Sequence, residues 1–293
     1  MIILLNAVYV ERVDFMEYIF ENEAVKVKGI ENFSLRDTLS CGQSFRWKEQ
    51  EDGGFVGTAF GKTVKVKIEN DVFIIEGADE KDFEAVWKSY FDLETDYKKI
   101  KEDLSELHPT LKEASRFAPG IRILSQEPFE ALISFIISSN NNIKRIEGIV
   151  ERLCENFGER NEQGGYSFPT AEKLATLSLD ELSVIRAGFR HRYILDAASK
   201  VVSGEVNLER CRELPFDEAK KELMTIVGVG EKVADCVLLY GLHRLKAFPM
   251  DVWMKRAMAT LFPDVKAESF GEFAGIAQQY IFHYSRLHPE LFE

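Results

Sequence analysis

The sequence predicts an α+β fold, in which a strand-rich amino-terminal domain over residues 1–117 precedes a mostly helical region over residues 118–293. Two observations support this division. Short runs of β-branched and aromatic residues are concentrated in the first part, whereas apolar residues recur at helical spacing in the second. A run of strands followed by a run of helices is typical of α+β chains and not of alternating α/β folds.

Four segments of the amino-terminal domain favour the strands of an antiparallel sheet. They are Val25–Lys28, Phe55–Phe60, Val64–Ile68 and Val72–Glu76. The polar, glycine-containing run Glu51–Gly54 predicts a turn between neighbouring strands. Further on, Phe83, Val86, Trp87 and Tyr90 lie at helical spacing, which predicts a helix that covers one face of the sheet.

The second region shows the pattern of amphipathic helices. Its clearest apolar stripe consists of Ile143, Ile146, Ile149, Val150 and Leu153. Asn141 and Asn142 precede this stripe and are expected to cap the helix, because asparagine side chains accept hydrogen bonds from free helix amides. Gly164–Pro169 is a predicted loop, and Thr170 is expected to start the next helix.

The charge balance limits the kind of partner. The net charge is −12 and the pI is about 5.1, which argues against a protein that coats DNA nonspecifically, because such binding depends on many neutralised phosphates. Basic residues are nevertheless concentrated in two places, at Lys144 and Arg145 and at Arg186, Arg190, His191 and Arg192. A small basic footprint on an acidic body suits an enzyme that contacts a few phosphates.

The four cysteines lie far apart and form no Cys-x-x-Cys motif. This predicts reduced thiols in a cytoplasmic protein, without a zinc site or an iron–sulfur cluster. The segment Met1–Val10 is apolar but short and lacks a basic leading region, so it is predicted to be neither a signal peptide nor a membrane span. Nothing in the sequence requires more than a monomer.

The most informative stretch combines a Gly-Val-Gly turn with a lysine and an aspartate. Gly228 and Gly230 separate two apolar-periodic segments, so a helical hairpin with open backbone amides is predicted, and such amides can seat a phosphate oxygen. Lys232 follows the turn, and Asp251 follows Pro249 ahead of another apolar run. Lys232 alone would be read as a solvated lysine and Asp251 as a helix cap. Together, a phosphate seat, an amine and a carboxylate indicate covalent chemistry on a nucleic-acid backbone or sugar.

The residues Gly228–Cys236 and Pro249–Val252 resemble the helix–hairpin–helix and Gly/Pro-Asp signature of the 8-oxoguanine DNA glycosylase/AP-lyase family. Three other segments match the same family in order: Ser40–Trp47, Ser138–Ile143 and Ala277–Phe282. The resemblance covers roughly residues 24–284. It implies two helical subdomains that flank a central cleft, and a DNA glycosylase with β-lyase activity in base-excision repair of double-stranded DNA.

The resemblance implies that Lys232 attacks the sugar as a neutral amine and forms a Schiff base, while Asp251 stabilises the developing positive charge. An anion is favoured at a helix amino terminus, which fits the position of Asp251. No cofactor is required for this chemistry.

The resemblance also assigns residues that recognise the damaged base. The Gly42 carbonyl matches the acceptor for the N7–H that distinguishes 8-oxoguanine from guanine, and the missing Cβ permits a close approach. Phe282 matches the ring that stacks on the flipped base, Gln278 the amide that reads its Watson–Crick edge, and Cys236 the thiol beside the base and the lysine. On spacing alone, Gly42 would be part of a turn and Phe282 a core residue.

The partner base is assigned to a second group of residues. Asn140, Arg145 and Arg190 match positions that bond the orphaned cytosine, and Phe189 matches an aromatic wedge. Arginine forks suit the O2 and N3 acceptors of cytosine, so cytosine is the expected base opposite the lesion.

Two positions depart from familiar members of the family. Trp253 stands where a histidine near a phosphate is familiar, so aromatic packing is expected to replace that contact, and Phe189 stands where tyrosine is familiar. The hairpin carbonyls of Met224, Ile226 and Val229 are candidate ligands for a structural monovalent or calcium ion.

Two other functions fit parts of the sequence. A monofunctional glycosylase for alkylated or other bases would use the same scaffold, but Lys232 argues against it. A noncatalytic DNA-binding module would use the hairpin as an anchor, and in that case replacement of Lys232 would change no measurable property.

Overall fold

The structure of the protein is a computed structural model that describes residues 11–13 and 16–292. The segment Met1–Val10, with the prediction made for it, lies outside the described residues. Across the part of the chain that the structure describes, no helix is both long and apolar enough to cross a lipid bilayer.

The amino-terminal domain contains a seven-stranded antiparallel sheet with the strand order β1-β2-β3-β7-β6-β5-β4. The strands are β1 (Glu11–Val13), β2 (Met16–Glu21), β3 (Ala24–Lys28), β4 (Trp47–Glu49), β5 (Phe55–Ala59), β6 (Lys62–Glu69) and β7 (Val72–Glu76). The four predicted strands correspond to β3, β5, β6 and β7, which are confirmed. The strands β1, β2 and β4 were not predicted, because β1 and β4 have only three residues each and two of the six residues of β2 are glutamates.

A continuous helical segment packs on the sheet as predicted. It consists of α2 (Glu80–Asp82), a π-helical turn (Phe83–Trp87) and α3 (Lys88–Tyr90). Phe83 and Trp87 are fully buried against the sheet in a core that also contains Tyr90, while Val86 is only partly buried.

Helix α1 (Leu35–Leu39) also packs on the sheet. The other helices form a second core. They are α4 (Tyr97–Leu107), α5 (Pro109–Phe117), α6 (Pro128–Ser138), α7 (Ile143–Phe157), α8 (Ala171–Ala175), α9 (Leu179–Leu182), α10 (His191–Val202), α11 (Leu208–Glu213), α12 (Phe216–Leu223), α13 (Glu231–Cys236), α14 (Val252–Leu261) and α15 (Ala274–Leu287). Thr170 caps α8 as predicted. Short 3-10 turns at Ser183–Ile185, Gly188–Arg190, Ala267–Phe273 and Pro289–Phe292 and a π-helical turn at Val237–Gly241 complete the chain.

Two helices before residue 118 were not predicted from the sequence. The helices α4 and α5 precede residue 118, and Tyr97, Ile100 and Leu104 of α4 belong to the helical core. The prediction missed α4 because only three of its eleven side chains are buried, among many lysines and glutamates. Phe45 packs in the helical core and Leu124 in the sheet core, so the two parts interlock. The domain boundary at 117/118 stays a prediction.

A buried ion pair joins the end of the Ser40–Trp47 motif to the helical core. The Arg46 guanidinium donates to the Glu130 carboxylate over 3.0 Å, and their side chains are only 9% and 7% exposed. Arg46 also donates to the Tyr166 carbonyl. Burial raises the pKa of the Glu130 carboxyl, although the nearby guanidinium opposes that change.

We expect Arg46→Met to destabilise the protein by about 3–5 kcal/mol, because it leaves the Glu130 carboxyl buried without a partner. The double variant Arg46→Met/Glu130→Leu should be clearly more stable than the single variant. Urea unfolding followed by circular dichroism measures both. Equal losses for the single and double variants would contradict this account of the pair.

Candidate active site

The predicted helical hairpin is present, and each of its glycines has a structural reason. The helix α12 ends at Leu223, and α13 starts at Glu231. Gly228 has φ +86°, and a Cβ there would lie 2.4 Å from the Tyr193 ring. Gly230 is the N-cap of α13, and a Cβ there would meet nothing within 4 Å. The turn therefore leaves open space beside the first amides of α13.

The helix α10 holds the hairpin turn in place. The Val227 amide donates to Asp196 Oδ2 over 2.7 Å, and Lys200 Nζ donates to the Thr225 carbonyl over 2.5 Å. Val227 itself remains 52% exposed. Helix α10 thus fixes the backbone of the turn, while Val227 at its tip stays accessible to a partner.

Lys232 lies half-buried on the first turn of α13, so it is not the freely solvated lysine that its position alone suggested. Its Nζ donates to Ser138 Oγ over 3.1 Å and lies 5.3 Å from the centre of the Phe135 ring. Cys236, one turn later on the same helix, is buried. Burial raises the pKa of the Cys236 thiol to about 11, against the opposing effect of the Lys232 charge, so the thiol is neutral at pH 7.

Asp251 is the N-cap of α14, as the sequence suggested. The Met254 amide donates to Asp251 Oδ1 over 2.7 Å, which fixes the carboxylate at the helix end. The Asp251 charge raises the pKa of the Cys236 thiol and of the Tyr240 hydroxyl, while Lys232 lowers that of the same thiol. The charges of Lys232 and Asp251, which lie on two different helices, therefore both act on the Cys236 thiol.

The residues predicted to bind the damaged base also converge. Gly42 has φ +89°, and its Cβ position lies 3.9 Å from Phe282 Cε1 and 3.5 Å from Ile143 Cδ1. Gln278 precedes Phe282 by one helical turn and is buried. Its Oε1 has no hydrogen-bond partner within the described parts of the chain. An unsatisfied buried amide oxygen is costly, which makes this position suited to an N–H donor from a ligand.

The residues predicted to hold the partner base lie together, but Arg190 differs from expectation. Its guanidinium is buried and donates to the carbonyls of Ser139 and Asn140, the latter over 3.1 Å. It stacks on the Phe189 ring at 4.5 Å, and Phe189 is 54% exposed. Burial and the nearby Arg145 charge lower the pKa of Arg190. The sequence suggested free arginine forks, whereas in this structure Arg190 is partly occupied by backbone carbonyls.

The three asparagines have different roles. Asn142 is the N-cap of α7, where it accepts from the Arg145 amide over 3.0 Å, so this prediction is confirmed. The prediction for Asn141 is wrong, since its amide donates to the Ile137 carbonyl of the preceding helix. Asn140 is exposed and has φ +49° at the sharp turn between the helices.

Trp253 is packed as the departure from the family pattern led us to expect. Its indole N–H donates to Ser285 Oγ over 2.9 Å, and its ring meets Phe292 edge-on at 5.2 Å. The indole N–H is therefore already occupied by the carboxy-terminal part of the chain.

Four residues of the site escaped the sequence reading: Phe135, Ser138, Tyr240 and Gln279. Phe135 and Ser138 contact the Lys232 amine, and Tyr240 hydrogen-bonds Gln279. The available signals were the position of Ser138 inside a matched motif and the Gln278-Gln279 pair inside an apolar helix.

The four cysteines are all free and buried, at Cys41, Cys154, Cys211 and Cys236.

Two family models match consecutive parts of the chain. The model of the 8-oxoguanine DNA glycosylase N-terminal domain matches residues 26–132. The model of the HhH-GPD superfamily base excision DNA repair proteins matches residues 133–269. The chain is 40% identical to a solved Clostridium acetobutylicum 8-oxoguanine glycosylase/lyase, bound to double-stranded DNA with cytosine opposite 8-oxoguanine. The TM-score is 0.87, with 94% of this chain and 99% of that chain covered.

Eukaryotic proteins are also similar to this chain. The N-glycosylase/DNA lyase OGG1 of Arabidopsis thaliana is 30% identical, over 84% of this chain and 75% of its own length. The N-glycosylase/DNA lyase of Saccharomyces cerevisiae is 34% identical, over 76% of this chain and 66% of its own length.

The two hairpin glycines should respond differently to alanine. Gly228→Ala introduces a side chain at positive φ and into the Tyr193 ring, so we expect a loss of roughly 1–3 kcal/mol of stability. Gly230→Ala, at φ −97° and in open space, should change stability by less than about 0.5 kcal/mol. Thermal unfolding measures both, and a more severe loss for Gly230→Ala would refute the described turn.

Proposed function

This chain belongs to the 8-oxoguanine DNA glycosylase family, and on that premise we propose that Lys232 is its nucleophile and Asp251 the carboxylate that supports the reaction. The chain is a DNA N-glycosylase and DNA lyase that excises 8-oxoguanine from duplex DNA. The observation that supports the proposed roles is geometric: the Lys232 amine is half-buried against Ser138 and Phe135, and a helix amide fixes the Asp251 carboxylate.

The Lys232 amine attacks C1′ of the damaged nucleotide, and the C1′–N9 bond breaks. The departing base receives the proton that the amine releases. Opening of the sugar ring then gives a Schiff base between Lys232 and C1′. Loss of a C2′ proton breaks the C3′–O3′ bond and cleaves the strand. Ser138 and Phe135 orient the amine, since they contact Nζ directly.

Asp251 acts as a fixed anion. The bond from the Met254 amide and the amino terminus of α14 both hold its carboxylate in place and favour its charge. Positive charge develops on the sugar as the base leaves, and a preorganised carboxylate stabilises this charge without needing to reorganise.

Gly42, Gln278 and Phe282 form the pocket for the flipped base. The Gly42 carbonyl accepts the N7–H of 8-oxoguanine, whereas guanine presents a lone pair at N7 and is repelled. Phe282 stacks on the base, and the unsatisfied Gln278 amide receives a donor from its Watson–Crick edge. Cys236 contacts the opposite side of the base as a neutral thiol.

Asn140, Arg145, Phe189 and Arg190 hold the partner cytosine, and Phe189 fills the gap in the duplex. The exposed Phe189 ring and the exposed Arg145 side chain are free for this contact. Arg190 exchanges part of its bonding to the Ser139 and Asn140 carbonyls for cytosine when DNA binds. The amides after Gly228 and Gly230 seat a phosphate.

The proposal has two further parts, a structural cation at the hairpin and a cytoplasmic location. The carbonyls of Met224, Ile226 and Val229 lie in one turn and supply the oxygen ligands that a monovalent or calcium ion prefers. Four buried free thiols and a repair substrate fit a cytoplasmic protein that acts on the chromosome.

Borohydride trapping tests the nucleophile. With a duplex containing 8-oxoguanine opposite cytosine, we expect a covalent adduct for the wild type and none for Lys232→Gln, which should still bind the duplex. Asp251→Asn should react roughly 10²–10³-fold more slowly but unfold at the same temperature, because asparagine also caps helices well. A trapped adduct with Lys232→Gln would refute the proposal, and a wild type that releases the base without any adduct would support a monofunctional glycosylase.

Incision of four duplexes, each with a different base opposite 8-oxoguanine, tests the partner-base residues. We expect the wild type to cut fastest opposite cytosine, and Arg145→Met to reduce that preference about tenfold through the loss of a charged hydrogen bond. Lys144→Met is the matched control, since it removes the same charge from the neighbouring exposed position. Equal rates opposite all four bases in the wild type would overturn the roles of Arg145 and Arg190.

A further inference from the structure

We propose that Tyr240 is a positioning residue for lesion selectivity: it holds, through two buried glutamines, the carbonyl groups on either side of Gly42. This inference rests on the proposed role of Gly42 in reading N7–H. It concerns residues that the motifs did not identify, in the π-helical turn that directly follows α13.

The three consecutive carbonyls of Cys41, Gly42 and Gln43 are treated differently by the protein. Gln279 Nε2 donates to the Cys41 carbonyl over 3.3 Å, and Gln126 Nε2 donates to the Gln43 carbonyl over 2.7 Å. No donor from the described residues reaches the carbonyl of Gly42 between them. Two carbonyls are thus anchored, and the middle one is left for a ligand.

Both anchors lead back to Tyr240. Its hydroxyl donates to Gln279 Oε1 over 2.6 Å, which sets the orientation of that amide so that Nε2 faces the Cys41 carbonyl. The backbone carbonyl of Tyr240 accepts a hydrogen bond from the backbone N–H of Gln126 over 2.7 Å. This bond places the side chain of Gln126 at the Gln43 carbonyl. A single residue therefore controls the groups on both sides of Gly42.

These anchors are rigid because they are buried. Gln43, Gln126, Gln279 and Tyr240 are at most 4% exposed. A buried amide that loses its partner is not rescued by water, so each bond is costly to break. The Gln43 side chain adds to this, since it donates to the Thr38 and Arg122 carbonyls and accepts from the Leu124 amide.

Tyr240 also connects the reading carbonyl to the nucleophile. Lys232, Cys236 and Tyr240 follow one another at four-residue spacing along one continuous helical segment. The Tyr240 ring stacks on Phe135 at 5.2 Å, and Phe135 lies beneath the Lys232 amine. The element that carries the amine thereby also fixes the distance to the carbonyl that identifies the base.

Selectivity follows from this arrangement. A carbonyl that can rotate or retreat would accept a weaker bond from N7–H and would repel the N7 lone pair of guanine less. Loss of the anchors should therefore reduce the preference for a base with N7–H, and should leave binding of a base without that hydrogen almost unchanged.

The test uses the Lys232→Gln protein, which binds without cleaving, and three duplexes with cytosine opposite the probe base. The probes are 8-oxoguanine, 8-oxo-7-deazaguanine, which has C–H in place of N7–H, and guanine. Fluorescence anisotropy gives the affinity for each. We expect Gln279→Leu to reduce the preference for 8-oxoguanine over the deaza analogue about two- to tenfold, the contribution of one hydrogen bond. Tyr240→Phe should shift the ratio in the same direction.

Tyr280→Phe is the matched control. Tyr280 lies in α15, and its buried hydroxyl has no hydrogen-bond partner in the described structure, so this variant removes a tyrosine hydroxyl that anchors nothing. We expect the ratio to stay unchanged there. If Gln279→Leu does not fold, Tyr240→Phe decides the question alone.

The outcomes separate two failures. If Gln279→Leu and Tyr240→Phe weaken binding of 8-oxoguanine and of its deaza analogue by the same factor, the anchors serve folding only and the inference is overturned. If the Lys232→Gln protein does not prefer 8-oxoguanine over guanine at all, the proposed function is wrong and the inference falls with it.

Discussion

Hydrogen bonds act over about 3 Å, so a base can be recognised and removed only if the recognising carbonyl and the attacking amine keep a constant separation. In the proposed site the two groups come from the Cys41–Gln43 turn and from α13, which are about 190 residues apart in sequence. The buried contacts around Tyr240 join them. The interlocked cores, with Phe45 among the helices and Leu124 in the sheet, keep the surrounding framework rigid.

Charge is used locally in this molecule. The net charge of −12 opposes nonspecific attraction to DNA, so binding depends on a few well-placed groups. In our proposal, the open amides of α13, the exposed Arg145 and the exposed Phe189 provide these groups without making the whole surface basic. Such an enzyme should depend more on finding a distorted or damaged base than on general affinity for the duplex.

The parts of the site that could be predicted were those that depend on local sequence. The Gly228–Gly230 turn, the caps at Asp251 and Asn142 and the strands β5 to β7 follow from short-range patterns. The bonding of Arg190 to the Ser139 and Asn140 carbonyls could not be predicted, because it depends on how α6 and α10 meet. The anchoring of the carbonyls on either side of Gly42 by Gln126 and Gln279 could not be predicted for the same reason, since each of these positions looks like ordinary helix or loop.

A crystal structure of the Lys232→Gln protein, bound to a duplex with 8-oxoguanine opposite cytosine, tests the central claim most directly. We expect the flipped base between Phe282 and Cys236, with its N7 about 2.7–3.2 Å from the Gly42 carbonyl. The Gln279 and Gln126 amides should remain on the Cys41 and Gln43 carbonyls. A base lodged elsewhere, or a Cys41–Gln43 turn that has released both glutamines, would contradict the account.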